Sequence, residues 1–133
     1  LFVTLCFYDR EFSDNTIYGS LVRGRLPANL GYVYENAVAQ GLKAAGYGLF
    51  YHTFPKNDPK HKYEIDFVIP SGKKVCPIEV KSSSVSCHAS LDAFIEKHGN
   101  DVHRGVVISG KNLREEDGIV YLPIYMTGLI DRL

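Results

Sequence analysis

No stretch of this 133-residue chain is apolar over the roughly 20 residues that a membrane-spanning helix needs. The apolar start, Leu1 to Phe7, lacks the basic flank of a signal peptide, so a soluble protein of the cytoplasm is expected. Net charge is missing too: 15 Lys and Arg balance 15 Asp and Glu, which argues against a protein that coats nucleic acid by bulk electrostatics. Cysteine is scarce, and Cys6, Cys76 and Cys87 form an odd set without a Cys-x-x-Cys, which favours reduced thiols. Cys76, Cys87 and His88 lack the paired short spacings and a convincing fourth ligand of a zinc site. There is no internal repeat and no low-complexity tract. At 45% hydrophobic residues the chain can bury the core of one compact domain. It begins at Leu1 rather than methionine, from which a fragment or processed product is expected.

Two short runs stand out. Tyr63-Glu64-Ile65-Asp66-Phe67-Val68-Ile69 and Pro77-Ile78-Glu79-Val80-Lys81 both set charged residues among apolar ones at alternate positions, the pattern of strands. Alternation puts Ile65, Phe67 and Ile69 on one face and Glu64 and Asp66 on the other. In the second run Ile78 and Val80 oppose Glu79 and Lys81. If the strands pair across the turn Ser71-Gly72-Lys73-Lys74, Asp66, Glu79 and Lys81 can converge: two carboxylates and an ammonium. Such a trio suits phosphodiester hydrolysis, because Mg²⁺ is commonly held by one or two carboxylates together with phosphate oxygens and water. A lysine beside it can orient the attacking water and offset charge in the transition state. The pattern has a plain counterpart. A [DE]-x-K triplet arises by chance on the order of once in a chain of this length, and a hairpin with a solvated charged face would read the same.

Glu35 adds a third carboxylate. From Asn29 to Gly46 the apolar positions Leu30, Val33, Tyr34, Ala37, Val38, Leu42 and Ala45 fall on one side of a helix, with Asn29 as N-cap and Gly46 or Gly48 as stop. Glu35 lies at the border of that stripe, beside Leu42, while Asn36 and Ala39 lie further towards solvent. A carboxylate there is either a rim charge or a further metal ligand presented to the sheet. Elsewhere Leu49 to Phe54 reads as a strand, followed by a loop from Pro55 to Lys62 marked by Asn57-Asp58-Pro59. Ser90 to His98 reads as a short helix capped by Ser90, with Leu91, Phe94 and Ile95 inward. Gly105 to Ser109 reads as a buried strand, and Gly118 to Tyr125 as another, placed at an edge or a bulge by Pro123. Gly105 to Lys111 also spells G-x4-G-K, but Asn112 replaces the Ser or Thr that would hold Mg²⁺ and the intervening residues are a strand, so ATP binding there is not expected. Lys56, Lys60, His61, Lys62, Lys73 and Lys74 gather around the hairpin, either as a rim for a phosphate backbone or as solubilising surface.

The segment from Asp66 through Glu79-Val80-Lys81 resembles the signature of the PD-(D/E)XK nucleases. More specifically, Asn29-Leu30-Gly31-Tyr32-Val33-Tyr34-Glu35-Asn36-Ala37-Val38-Ala39-Gln40, Tyr63 to Phe67, Pro77 to Ser83, Ser90 to Phe94 and Tyr121 to Met126, in that order, look like the C-terminal domain of a large family of prokaryotic AAA-type ATPases. That domain is of formally unknown function, with a restriction-endonuclease-like fold. The resemblance implies an α/β PD-(D/E)XK core, a mixed β-sheet flanked by helices, over residues 29–133. It makes residues 1–28 the remnant of a link to an N-terminal AAA-type ATPase module that lies outside this chain. By the match Glu35 is the helix acid, Asp66 the metal-binding aspartate, Glu79 the second acid and Lys81 the lysine, with Asp66, Glu79 and Glu35 around Mg²⁺ or Mn²⁺. Ile65 stands where the motif's name has proline. The implied activity is metal-dependent cleavage of nucleic acid, DNA above all. The rivals are a nuclease-fold module that cuts nothing and regulates the ATPase through DNA or protein binding, and a ligand-binding domain with a fortuitous acidic cluster.

Overall fold

The computed structural model describes residues 30–56, 61–83 and 87–132. The expected link at residues 1–28, the Asn29 cap, Cys6, the Asn57-Asp58-Pro59 turn and Lys60 lie outside the described residues. The elements are α1 (Leu30–Ala44), β1 (Phe50–Pro55), β2 (Lys62–Ser71), β3 (Lys74–Lys81), α2 (Ala89–His98), a 3₁₀ turn (Gly99–Asp101), β4 (Gly105–Ser109), β5 (Arg114–Glu116), β6 (Ile119–Pro123) and a C-terminal 3₁₀ segment (Ile124–Arg132). One six-stranded mixed sheet runs in the order β1-β2-β3-β4-β6-β5. β1, β2 and β3 form an antiparallel meander, β4 runs parallel to β3, β6 parallel to β4, and β5 antiparallel to β6. Among the described residues no helix is long and apolar enough to cross a membrane.

α1 and the C-terminal segment cover one face of the sheet. Val38 and Leu42 pack there with Ile69, Cys76, Ile78, Val80, Val106, Ile108, Val120, Leu122 and Ile130. The buried stripe of α1 is narrower than its periodicity suggests, because Ala37 and Ala45 are exposed and the helix meets the sheet mainly through Tyr34, Val38 and Leu42, spaced at successive turns. The helix stops as the sequence predicts. Gly46 takes φ 90°, its N–H donates to the Lys43 carbonyl, and the Tyr47 N–H donates to the Leu42 carbonyl, a Schellman motif that satisfies two terminal carbonyls.

α2 covers the other face. Phe94 packs with Phe54, Ile65 and Val102, and Leu91 with Val107, Ile119 and Tyr121. Its first helical residue is Ala89 and its N-cap is His88, not Ser90. The His88 ring makes no cap; it is engaged with Asp92 and Tyr121 instead.

The hairpin joining β2 to β3 closes on the Ser71–Lys74 pair, with Gly72 at φ 63° on the first of the two central positions. The expected faces of β2 need correcting. Ile69 and Phe67 face α1, but Ile65 packs on the α2 side with Tyr63 and Val68. The reason is a β-bulge: Phe50 pairs with Val68 and His52 with Ile65, so Asp66 and Phe67 together oppose Tyr51. The extra residue resets the alternation midway along the strand. A second correction concerns Pro123. β6 is interior, between β4 and β5, and Pro123 closes its ladder opposite Ser109, beyond the last β5 pair at Tyr121, where no partner on the β5 side needs its missing N–H. Among the described residues the edge on that side is β5, Arg114-Glu115-Glu116, exposed at each position and charged, a composition that discourages further strand pairing.

Candidate functional site

Asp66 sits at the bulge, where the β2–β3 ladder ends at the Phe67–Ile78 pair. Its carboxylate takes over from the ladder: the Val80 N–H donates to Asp66 Oδ2 at 2.7 Å. Burial pushes the Asp66 carboxyl up to about 6; the Val80 bond pulls it down, the nearby charges of Glu35 and Glu79 push it up, and Lys81 opposes them. Asp66 thus lies within electrostatic reach of every other candidate residue.

Glu79 is 6% exposed, in the interior strand β3, between β2 and β4. Ile78 and Val80 face α1, so alternation turns Glu79 and Lys81 towards the α2 side, where Glu79 stands beside Val107. Lys81 Nζ meets Glu79 Oε1 at 2.6 Å. Among the described residues the other oxygen, Oε2, is buried with no hydrogen-bond partner. A buried carboxylate oxygen left unpaired is costly, and an ordered water or a bound cation satisfies it.

Glu35, half-buried on α1, shares a groove of about 370 Å³ with Asp66. The bulge makes this possible by setting Asp66 and Phe67 opposite Tyr51 on the side of α1. Leu49, Phe50, Tyr51, Thr53 and Glu64 complete much of the groove wall. The structure therefore joins Glu79 to Lys81 and Glu35 to Asp66, and the charges of Glu79 and Lys81 are felt at Asp66. Among the described residues no group of three or more His, Cys, Asp or Glu side chains is arranged to hold one metal ion.

A family model for a domain of unknown function, DUF4143, matches residues 30–127. The chain belongs to that family. Comparisons with curated proteins and with solved structures find no match. The DUF4143 match begins at α1 and runs into the C-terminal 3₁₀ segment, so it takes in Glu35, Asp66, Glu79 and Lys81.

Two features of this DUF4143 domain escape a reading of its sequence. On the α2 side, His88 Nδ1 lies 2.9 Å from Asp92 Oδ1 and His88 Nε2 lies 3.0 Å from the buried Tyr121 hydroxyl. A neutral ring with its proton on Nδ1 satisfies both contacts. They border a larger cavity of about 570 Å³ with Glu96, Arg114 and Glu116. The His88–Asp92 spacing of four residues is the one local signal; Tyr121 comes from a distant strand. The second feature is the exposure of the consecutive Phe50 and Tyr51 rings, which the sequence marks only as part of a strand.

Proposed function

We propose that this DUF4143 domain is a restriction-endonuclease-like, PD-(D/E)XK phosphodiesterase that cleaves DNA with Mg²⁺ or Mn²⁺, working with an AAA-type ATPase module on the same protein. The observation that carries the reading is the Glu79 side chain: buried, bridged by Lys81 through one oxygen and, among the described residues, unpartnered at the other. The order helix, antiparallel three-strand meander, helix and parallel strand supports it as well, since it sets Asp66 and the Glu79-Val80-Lys81 run on adjacent strands.

Asp66 and Glu79 would hold the metal with the help of the Val80 carbonyl, and Glu35 would adjust the site across the groove. The donor set fits a hard cation that keeps several waters, for which two carboxylates suffice. The metal would supply Lewis acidity to the phosphate and acidify a bound water. The chain's own residues do the rest. The Val80 N–H fixes the Asp66 carboxylate through Oδ2, leaving Oδ1 for a ligand. The Lys81 ammonium, held beside Glu79, orients the attacking water and offsets charge on the phosphate oxygens. Because the Asp66 carboxyl titrates near 6, protons compete with metal below neutrality and metal affinity rises through that range.

The test is a Mn²⁺ titration of the wild-type domain beside Glu79→Ala, with plasmid and single-stranded DNA in the same buffers. Glu79-dependent metal binding with cleavage, lost in Asp66→Ala and Lys81→Ala variants that keep their circular dichroism, supports the reading. Cleavage retained by either variant refutes it. A second reading, a nuclease-fold module that cuts nothing and regulates the ATPase through DNA or protein binding, draws on the lack of a three-ligand cluster among the described residues and on the zero net charge. It requires that no Glu79-dependent Mn²⁺ signal be seen.

A further inference from the structure

We infer that Asp92, His88 and Tyr121 form a proton relay that makes the Tyr121 hydroxyl a nucleophile, and that the cavity beside it takes a small acyl compound bearing a cationic group. The three side chains stand in line as acid, base and nucleophile. With the ring proton on Nδ1, His88 donates to Asp92 Oδ1 over 2.9 Å, and the Tyr121 hydroxyl donates to His88 Nε2 over 3.0 Å. Both distances are within the reach of proton transfer, and the carboxylate fixes the tautomer that leaves the Nε2 lone pair on the phenol. A brace that merely pinned the start of α2 to β6 would need no space around it. Yet all three side chains line a cavity of about 570 Å³. Neither Asp66, Glu79 nor Lys81 lines that cavity. Glu79 lies two strands away along the row Glu79, Val107, Tyr121, roughly 10 Å, with Leu91 of α2 packed on Val107 and Tyr121.

Charge selects the substrate. Asp92, Glu96, Glu116 and Asp117 stand in the cavity wall, and among the described residues Arg114 is the one Lys or Arg set against them. Asp92 is engaged with His88, and Arg114 Nε lies 3.5 Å from Glu116 Oε2, so the excess of negative charge falls on Glu96 and Asp117. Such a wall repels a phosphoryl or sulfuryl donor and favours an uncharged carbonyl centre carried by an ammonium or guanidinium group. The Arg114 guanidinium, its Cζ 3.9 Å from the centroid of the Tyr121 ring, supplies positive charge for the oxygen of an attacked carbonyl. The Tyr121 oxygen bonds to the carbonyl carbon as its proton passes to His88 Nε2, and Asp92 holds the imidazolium. Collapse breaks the bond to the leaving group, which takes that proton away. Water, its proton drawn off through the same relay, then splits the phenyl ester and frees Tyr121.

The experiment treats the 133-residue chain with aminoethylbenzenesulfonyl fluoride, whose sulfonyl centre stands in for the acyl carbon and leaves a stable adduct, and maps the adduct by mass spectrometry. Tyr51 and Tyr125, 79% and 81% exposed, serve as references against Tyr121 at 5%. Exposure alone would label Tyr121 last, whereas the relay is expected to make it react at least about tenfold faster than either reference. His88→Gln and Asp92→Asn are each expected to slow labelling of Tyr121 by about tenfold or more and to leave the references unchanged. Tyr121 labelled no faster than the references overturns the inference. So does labelling that stays or rises in His88→Gln, the result a mere brace would give, because its loss opens the start of α2. Relative to Tyr125, the ammonium reagent is expected to favour Tyr121 over its uncharged counterpart, ethylbenzenesulfonyl fluoride; equal preference overturns the cationic substrate class. Release of nitrophenol from the nitrophenyl ester of aminohexanoic acid is expected to be lost in a Tyr121→Phe variant that keeps its circular dichroism. Undiminished release refutes the acyl step.

Discussion

Asp66→Asn is expected to make the metal-free protein more stable above pH 6 while removing its proposed metal binding. The carboxyl is pushed up to about 6 from an ordinary value of 3.8, with burial as the largest cause and the charges of Glu35 and Glu79 adding to it. The folded state therefore holds the Asp66 proton more tightly than the unfolded chain does. Between about pH 4 and pH 6 the folded state carries more protons, so stability falls as pH rises through that window, and above it the full cost of the ionised group remains. A proton held about a hundredfold more tightly by the folded state corresponds to about 3 kcal/mol. Asp66 is partly open to water, which brings the figure to about 2 kcal/mol. Asparagine keeps an acceptor for the Val80 N–H and drops the charge. For a domain of this size about 2 kcal/mol corresponds to a Tm rise of roughly 7 °C. Urea unfolding of both proteins in EDTA at pH 4 and pH 8 measures it: near-equal midpoints at pH 4 and a higher midpoint for Asp66→Asn at pH 8 are expected. A variant no more stable than wild type at pH 8, or one displaced equally at both pH values, would show that the buried charge is not the cause. The gain, if seen together with lost Mn²⁺ binding, is the trade of stability for a poised ligand that functional carboxylates show.

Lys81→Ala leaves the Glu79 carboxylate buried without its cation, and a loss of roughly 2 kcal/mol is expected in EDTA, measurable by urea unfolding and reduced when Mn²⁺ is added. Leu42→Ala removes a fully buried side chain of α1 from the larger core cluster and should cost about 3 kcal/mol, read from the same unfolding curves. Cys76 is buried and its thiol pushed up to about 11, whereas Cys87 is exposed. Peptide mapping after brief iodoacetamide treatment at pH 8 should find Cys87 alkylated and Cys76 untouched; modification of both at similar rates would place Cys76 nearer the surface than β3 does.

Much of the architecture is legible along the chain. The turn of Ser71 to Lys74, the stop of α1 at Gly46 and the buried run of Gly105 to Ser109 follow from local chemistry: a left-handed glycine, a two-residue hairpin and a continuous apolar strand. Arg114 to Glu116 gives no strand signal because three charged residues carry no alternation to read, and it exists only as the exposed partner of β6. Ser90 has the chemistry of a cap, yet the cap falls two residues earlier, at His88, whose ring reaches Asp92 and, 33 residues away, Tyr121.

The candidate site divides the same way. Residue types and spacing alone set out Glu35, Asp66, Glu79 and Lys81 as two strands and a helix bearing carboxylates and an ammonium, because side-chain periodicity is a property of the local backbone. Tertiary structure decided what each one meets. The bulge opposite Tyr51 breaks the alternation of β2, turns Asp66 towards Glu35 and frees Ile65 for the other core, an irregularity that depends on the register between two strands and not on either alone. The interior place of β3, between an antiparallel and a parallel neighbour, buries Glu79, whose Oε2 has no partner among the described residues, which no pattern of charges along the chain can state.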